Sequence, residues 1–121
     1  MWRYYSRKLN GFKYASAGLL IAIREEWSFR SQIGFGLVAL FLSWYFPITR
    51  TEFVFIIFMI GIVMSAELFN TAIEELCDMV KSEQHPHVAK IKDLAAAGVL
   101  VSSFTALVVG LIIFVPHILR L

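Results

Sequence analysis

Three long stretches of the chain carry no Asp, Glu, Lys or Arg: Ser31–Thr49, Phe53–Ala66 and Leu94–Ile118. A helix needs roughly 20 apolar residues to cross the ~30 Å hydrocarbon core of a bilayer, and the first and third stretches approach or exceed that length. The second does so only by continuing through an acidic segment, SAELFNTAIEELCD, at residues 65–78. Ahead of all three, Trp2, Tyr5, Leu9, Phe12, Ser16, Leu19, Ile23 and Trp27 recur at helical spacing, with Ser16 the weak position. Arg3, Arg7, Lys8, Lys13 and Arg24 lie beside them. This pattern predicts an amphipathic helix over about 2–27, lying in a headgroup layer. Membrane spans follow at about 31–47, 53–80 and 93–116. Pro47 and the threonines beside Arg50 predict a short turn. Pro86 is expected to break any helix in KSEQHPH, and the third span is expected to end by Pro116. The fold class is an all-α membrane protein of three transmembrane helices plus an N-terminal amphipathic surface helix, in one domain over 1–121.

Composition agrees with the pattern. Hydrophobic residues make up 59% of the 121 residues, and the mean hydropathy of +0.72 is too apolar for an ordinary soluble domain. The start, MWRYYSRKLNGF, lacks the uninterrupted apolar core of a cleaved leader and is expected to remain on the mature protein. The single cysteine, Cys77, rules out an internal disulfide or a Cys-based metal cage.

Net charge is only +2, but nine of the eleven Lys and Arg lie before the first predicted span or between the second and third. Only Arg50 and Arg120 lie on the other side. The positive-inside rule then places the N-terminus and the Lys81–Lys92 segment in the cytoplasm, and the 47–52 turn and the C-terminus outside. The expected location is the bacterial inner membrane, crossed several times. No nucleic-acid partner is expected.

The acidic segment is the place where chemistry is concentrated. On one helix, Glu67, Asn70, Thr71, Glu74 and Asp78 fall within a sector of roughly 100°. Counting ~1.5 Å per residue from Phe53, a ~30 Å core is crossed near residue 72. Glu67 then sits inside the hydrocarbon, and Glu74 and Asp78 at its boundary. Solvated interfacial acids would account for Glu75 and Asp78. They would not account for Glu67, because an intramembrane carboxylate costs about 2.5–3.5 kcal/mol on insertion scales and marks function by default. A carboxylate at that depth can take a proton from a lipid hydroxyl, and a second one nearer the water can hold a hard cation such as Mg²⁺. Glu25, Glu26, Glu83, His85, His87, Lys90, Lys92 and Asp93 are available on the same side, and Lys92 beside Asp93 could pair with a phosphate. An ordinary solvated connection explains much of that loop equally well, and the H-x-H of His85 and His87 is weak as a metal site. No Walker A motif or protein-kinase glycine loop is present.

These residues match a family pattern. AELFNTAIEELCD is similar to E-x-x-N-[ST]-A-I-E-x-x-x-D, and SEQHPHVAKIKDLAAAGVL to S-x-x-H…A-K-D…A-A-x-V-L. FKYASAGL and REEWSFR match upstream. The chain resembles, from about residue 7 to Pro116, the small prokaryotic integral-membrane lipid kinases of the diacylglycerol kinase / undecaprenol kinase family. The resemblance implies a homotrimer with active sites shared between subunits. It implies Glu67 as general base toward the lipid alcohol and Asn70 as a group that orients the reactants. Glu26 and Glu74, from different subunits, would bind the Mg²⁺ that bridges the ATP phosphates. Arg7, Tyr14, Glu83, Gln84, His85, Lys92 and Asp93 would contact the nucleotide. Gln84 and Pro86 depart from some members, which bears on the purine contacts. DLAAAGVL and IFVPH look closer to the undecaprenol branch than to the diacylglycerol branch.

Three function classes follow. The first is an ATP- and Mg²⁺-dependent lipid kinase acting on undecaprenol, with diacylglycerol as the second acceptor. In the second, a small proton-coupled transporter subunit, Glu67 relays protons. In the third, a structural assembly protein, the acids hydrogen-bond between subunits. Only the first accounts for Glu26, Glu74, Lys92 and Asp93 together.

Overall fold

The computed structural model describes residues 10–80 and 86–121, and these form helices only. Four helices follow one another: α1 (Gly11–Glu25), α2 (Trp27–Tyr45), α3 (Arg50–Met79) and α4 (Pro86–Leu119). The expected positions Trp2, Tyr5 and Leu9 of the first helix lie outside the described residues.

Helix α1 buries only Ala22 and leaves Phe12, Leu19 and Ile23 exposed. It does not run on to Trp27. The backbone is extended at Glu26 (φ −110°, ψ 109°), and Trp27 opens α2 instead. A single residue therefore serves both as the C-cap of one helix and the N-cap of the next. The first span was expected from about residue 31, but its helix begins four residues earlier, because nothing in WSFR opposes helical geometry.

Helices α3 and α4 are long and apolar enough to cross a membrane. Helix α2 is not so by length and composition, since its 19 residues include Arg30 and Gln32 in the first two turns. Two of the three expected spans thus meet that test. Helix α3 matches its expected limits closely.

Helix α4 extends beyond its expected limits at both ends. Pro86 opens it, a place where the fixed φ of proline suits the helix, and the KSEQH segment before it lies outside the described residues. The third helix therefore starts seven residues before the expected 93, so Asp93 lies two turns inside rather than at the N-terminus. Pro116 does not end it, since the helix continues through that residue to Leu119. Only one short turn follows Pro116, so few backbone hydrogen bonds are disturbed.

Helix α3 packs along α4 and, to a lesser extent, against α2. The α2 backbone at buried Gly36 faces the Ile60 side chain of α3, where an added Cβ would lie 3.4 Å from Ile60 Cγ2. The buried apolar cluster of Phe46, Ile56, Ile113 and Phe114 ties the three helices together at the Thr49 end. Further along, an apolar groove of about 490 Å³ runs between α2 and α4 over α3, lined by residues such as Leu42, Met59, Val63, Ala106 and Gly110. Near it, Gln32 Nε2 donates a long 3.5 Å hydrogen bond to Ser103 Oγ. Many large apolar side chains face outward, Phe58, Leu100 and Ile112 among them. In water that would be a severe liability. In hydrocarbon it costs nothing, since lipid tails are as apolar as the side chains.

A capping box starts α3. Glu52 N donates to Thr49 Oγ1 at 3.1 Å, and Thr49 N donates to Glu52 Oε1 at 2.9 Å. His117 Nε2 of α4 approaches Glu52 Oε1 at 3.7 Å while its ring stacks on Phe46. Glu52 lies at the rim, before the apolar stretch that opens at Phe53. The Thr49 backbone N–H holds its carboxyl below the usual glutamate range. A depressed folded-state pKa contributes stability that is present above the unfolded pKa and is lost as pH falls through the lower, folded value. Thr49→Ala removes only the side-chain acceptor of the box and should cost about 1 kcal/mol near neutral pH. Glu52→Gln removes the titrating carboxyl and should flatten the acid limb of the stability curve below the ordinary glutamate pKa. Thermal unfolding in detergent across that range measures both, and an unchanged acid limb in Glu52→Gln would speak against the box.

Candidate active site

The acidic stripe of α3 is present on a continuous helix, but its members differ in depth. Glu67 is 4% exposed, which makes it the most buried charged side chain among the described residues. Asn70, Thr71 and Glu74 are half-buried, and Glu75 and Asp78 are exposed. Side-chain exposure thus rises along the stripe from Glu67 to Asp78.

Asn70 and Glu74 form a pair. Asn70 Nδ2 donates to Glu74 Oε1 at 3.2 Å, an i,i+4 contact along the helix. An ionised carboxylate only accepts, so the amide nitrogen must face it, and this fixes which end of the Asn70 amide is which. Asn70 Oδ1 is buried and has no hydrogen-bond donor among the described residues. A buried acceptor without a donor is uncommon and calls for an explanation, such as a ligand hydroxyl or an ordered water.

Past Glu74, the stripe is tied to α4. Lys92 Nζ donates to Asp78 Oδ1 at 2.9 Å, joining the end of α3 to the early turns of α4. Spacing alone had put Lys92 beside Asp93 and left Asp78 as an interfacial acid. The structure instead uses Lys92 to clamp the two helices. Asp93 is exposed. At 32% and 59% side-chain exposure the pair contributes modestly to stability, and its main effect is to set the register of the two helix ends.

Tyr14 lies on the outward side of α1, 51% exposed. Glu26 stands at the α1–α2 joint, half-buried. Among the described residues no hydrogen bond or ion pair links Glu26 to Glu67 or Glu74, and no three His, Cys, Asp or Glu side chains cluster as a metal cage. Arg7, Glu83, Gln84 and His85 lie outside the described residues. Cys77 is buried. Sequence reasoning gave Arg30 no role beyond its charge. Its side chain in fact crosses the joint to bond the end of α1. Its spacing of four from Glu26 was the available signal, but that spacing suggests an ion pair rather than a cap.

The comparison with known proteins bears on this constellation. The family model for prokaryotic diacylglycerol kinase matches residues 13–114, which include Tyr14, Glu26 and the whole α3 stripe. The chain belongs to the prokaryotic diacylglycerol kinase family. Within that family, it is 30% identical to the undecaprenol kinase of Bacillus subtilis, over 93% of this chain and 92% of that protein. It is 33% identical to the diacylglycerol kinase of Pseudomonas aeruginosa, over 79% and 78%. To the diacylglycerol kinase of Escherichia coli K12 it is 27% identical, over 93% of each chain. The family resemblance inferred from the motifs is thus borne out. Relatives of both acceptor types lie at similar distances.

The unsatisfied Asn70 Oδ1 gives a stability test. If this amide were a structural network, removing it would cost about 1–3 kcal/mol. In Asn70→Leu the orphan acceptor disappears and half-buried Glu74 can be hydrated, so the variant should unfold within about 1 kcal/mol of the wild type. Thermal or denaturant unfolding in micelles is the measurement, and a much larger loss would show the amide to be a packing element.

Proposed function

We propose that this chain is an integral-membrane lipid kinase that transfers the ATP γ-phosphate to a lipid alcohol, undecaprenol in the first instance and diacylglycerol as the alternative acceptor. The single observation that carries the reading is the Glu67–Asn70–Glu74 stripe, a buried carboxylate one helical turn from a polar pair, in a chain of this kinase family.

In this reading α2, α3 and α4 span the bacterial inner membrane and α1 lies on its cytoplasmic face. The N-terminus, Glu26 and the Val80 end of α3 are then on the ATP side. Glu67 accepts the proton of the lipid hydroxyl. The hydroxyl oxygen attacks the γ-phosphorus, the bond from that phosphorus to the β–γ bridging oxygen breaks, and ADP leaves. The single hydroxyl proton goes to Glu67, and Asn70, whose Oδ1 is buried without a donor among the described residues, would orient the reacting groups beside it. Such a general base contributes ~10²–10⁴-fold to the rate.

Glu26 and Glu74 suit a magnesium ion. Both are carboxylates, neither is neutralised by a cation among the described residues, and Glu74 has one oxygen left beyond the one that Asn70 bonds. Two carboxylates without a third fit a metal that keeps several waters and binds substrate phosphates. When bound, the ion would neutralise charge developing on the phosphates. Lys92, Asp93 and Tyr14, with Arg7, Glu83, Gln84 and His85, would contact the nucleotide. The chains would assemble as a homotrimer with Glu26 and Glu74 contributed by different subunits, in keeping with the absence of a link between these two carboxylates among the described residues. The isoprenoid tail of the acceptor would lie against apolar surface such as the groove between α2 and α4. DLAAAGVL and IFVPH in this chain favour undecaprenol over diacylglycerol.

Purified protein in nanodiscs, given γ-labelled ATP, Mg²⁺ and a panel of lipid alcohols, should phosphorylate undecaprenol faster than diacylglycerol. Glu67→Gln keeps the shape and removes the base, so it should fold and lose ~10²–10⁴-fold in rate. A folded Glu67→Gln protein with near-normal turnover would remove Glu67 from this role. Labelled phosphate on no lipid alcohol would end the kinase reading.

A further inference from the structure

We infer that Arg30 is a positioning residue: its guanidinium locks the α1–α2 joint and thereby sets where the Glu26 carboxylate stands. The inference rests on the reading of Glu26 as a magnesium ligand.

Four observations support it. First, α1 and α2 are joined by one extended residue, Glu26, whose N–H donates to Ala22 O at 3.0 Å and whose carbonyl accepts from Arg30 N at 3.2 Å. The direction of the Glu26 side chain therefore follows from the angle between the helices. Second, packing along α1 does little to fix that angle, because Ala22 is its only buried residue. Third, Arg30 reaches back across the joint. Its Nη1 donates to both Ile23 O and Arg24 O at 2.9 Å, two carbonyls at the end of α1 that no further helical turn can satisfy. A cation there also complements the helix dipole. The guanidinium lies 5.9 Å from the centroid of the Trp27 ring, which steadies it. Fourth, Arg30 stands four residues after Glu26, at the spacing that favours an ion pair, yet no ion pair with Glu25 or Glu26 forms among the described residues. The positive charge is taken up by carbonyls, and the Glu26 carboxylate keeps its negative charge for another cation. Phe29, 2% exposed, anchors the first turn of α2 on which all of this is built.

Arg30→Met keeps the stem and removes every donor. Arg30→Lys keeps the charge but replaces the fork with a single ammonium. Two readouts separate positioning from general stability. One is the α1–α2 distance distribution between spin labels at exposed positions 15 and 37, in a Cys77→Ala background with labelled chains diluted in unlabelled protein. The other is the magnesium dependence of phosphate transfer. In Arg30→Met the distance distribution should broaden. The magnesium concentration for half-maximal rate should rise about 10- to 100-fold, as for other outer-sphere positioning groups. The rate at saturating magnesium should change much less. Arg30→Lys should lie between wild type and Arg30→Met in both readouts, and it carries the test if the Met variant fails to fold. A distance distribution as narrow as wild type in the variants overturns the proposal, and so does a broad one with unchanged magnesium dependence. Glu26→Gln separates the two failures. If that variant too keeps the wild-type magnesium dependence, the reading of Glu26 is at fault. If it loses it while Arg30→Met does not, the fault lies with Arg30.

Discussion

A carboxylate held inside an apolar helix is the constraint on which the rest depends. Glu67 is 4% exposed on a 30-residue helix whose preceding residues are almost wholly apolar. Placing a charged or ionisable group there costs a few kcal/mol, which is a large share of a marginal protein stability. The stripe beyond it grades from buried to exposed: Asn70 and Glu74 bond one another at 3.2 Å, and Asp78 is clamped to Lys92 at 2.9 Å. Polar groups therefore run from the exposed end of α3 toward its apolar part along one side, without a cation beside Glu67 among the described residues. In the proposed reading that gradient lets a lipid hydroxyl and a phosphate meet. It also explains why the main apolar cluster is at the opposite, Thr49 end, where Phe46, Ile56, Ile113 and Phe114 can pack without polar interruption.

Two other uses of a buried acid fit less of the molecule. A proton-relay subunit needs Glu67 but has no use for an amide whose Oδ1 is buried without a donor among the described residues, or for a carboxylate at the α1–α2 joint that no cation among them neutralises. An assembly role for the acids would need them at an outward surface, whereas Glu67 is buried within one chain. Membership of a family whose members are named as kinases weighs on the same side. Arg30 adds to this picture by using its donors on the α1 carbonyls rather than on the neighbouring acids.

Much of the architecture was legible because it follows from composition and local spacing. The long helix α3 and the placing of Glu67, Asn70 and Glu74 along one side of it derive from i, i+3 and i+4 relations within one segment, while the Thr49–Glu52 capping box shares that spacing but its residues signal only a turn in the sequence. What spacing did not disclose depends on geometry between segments or on the sense of a signal. Pro86 marks the start of α4 only once its place at the first position of a helix, where its ring is tolerated, is known. The one-residue joint at Glu26 interrupts a pattern that continues smoothly through Trp27 in apolar spacing. The Lys92–Asp78 clamp joins residues fourteen apart in the chain, beyond the reach of any helical periodicity. The short apolar run of α2 and its early Arg30 and Gln32 leave its span less distinct than those of α3 and α4.

The central claim is that the acidic end of α3 meets the cytoplasm, where ATP is. Single cysteines at Val80, exposed at the end of α3, and at Leu121, exposed beyond the end of α4, test it in the Cys77→Ala background. The charge asymmetry of the chain predicts the Val80 end inside. A membrane-impermeant thiol reagent should reach residue 80 only in inside-out vesicles or lysed cells, and residue 121 only from the opposite side. Labelling of residue 80 from outside sealed cells would put the carboxylates on the wrong side of the membrane for ATP and contradict the account.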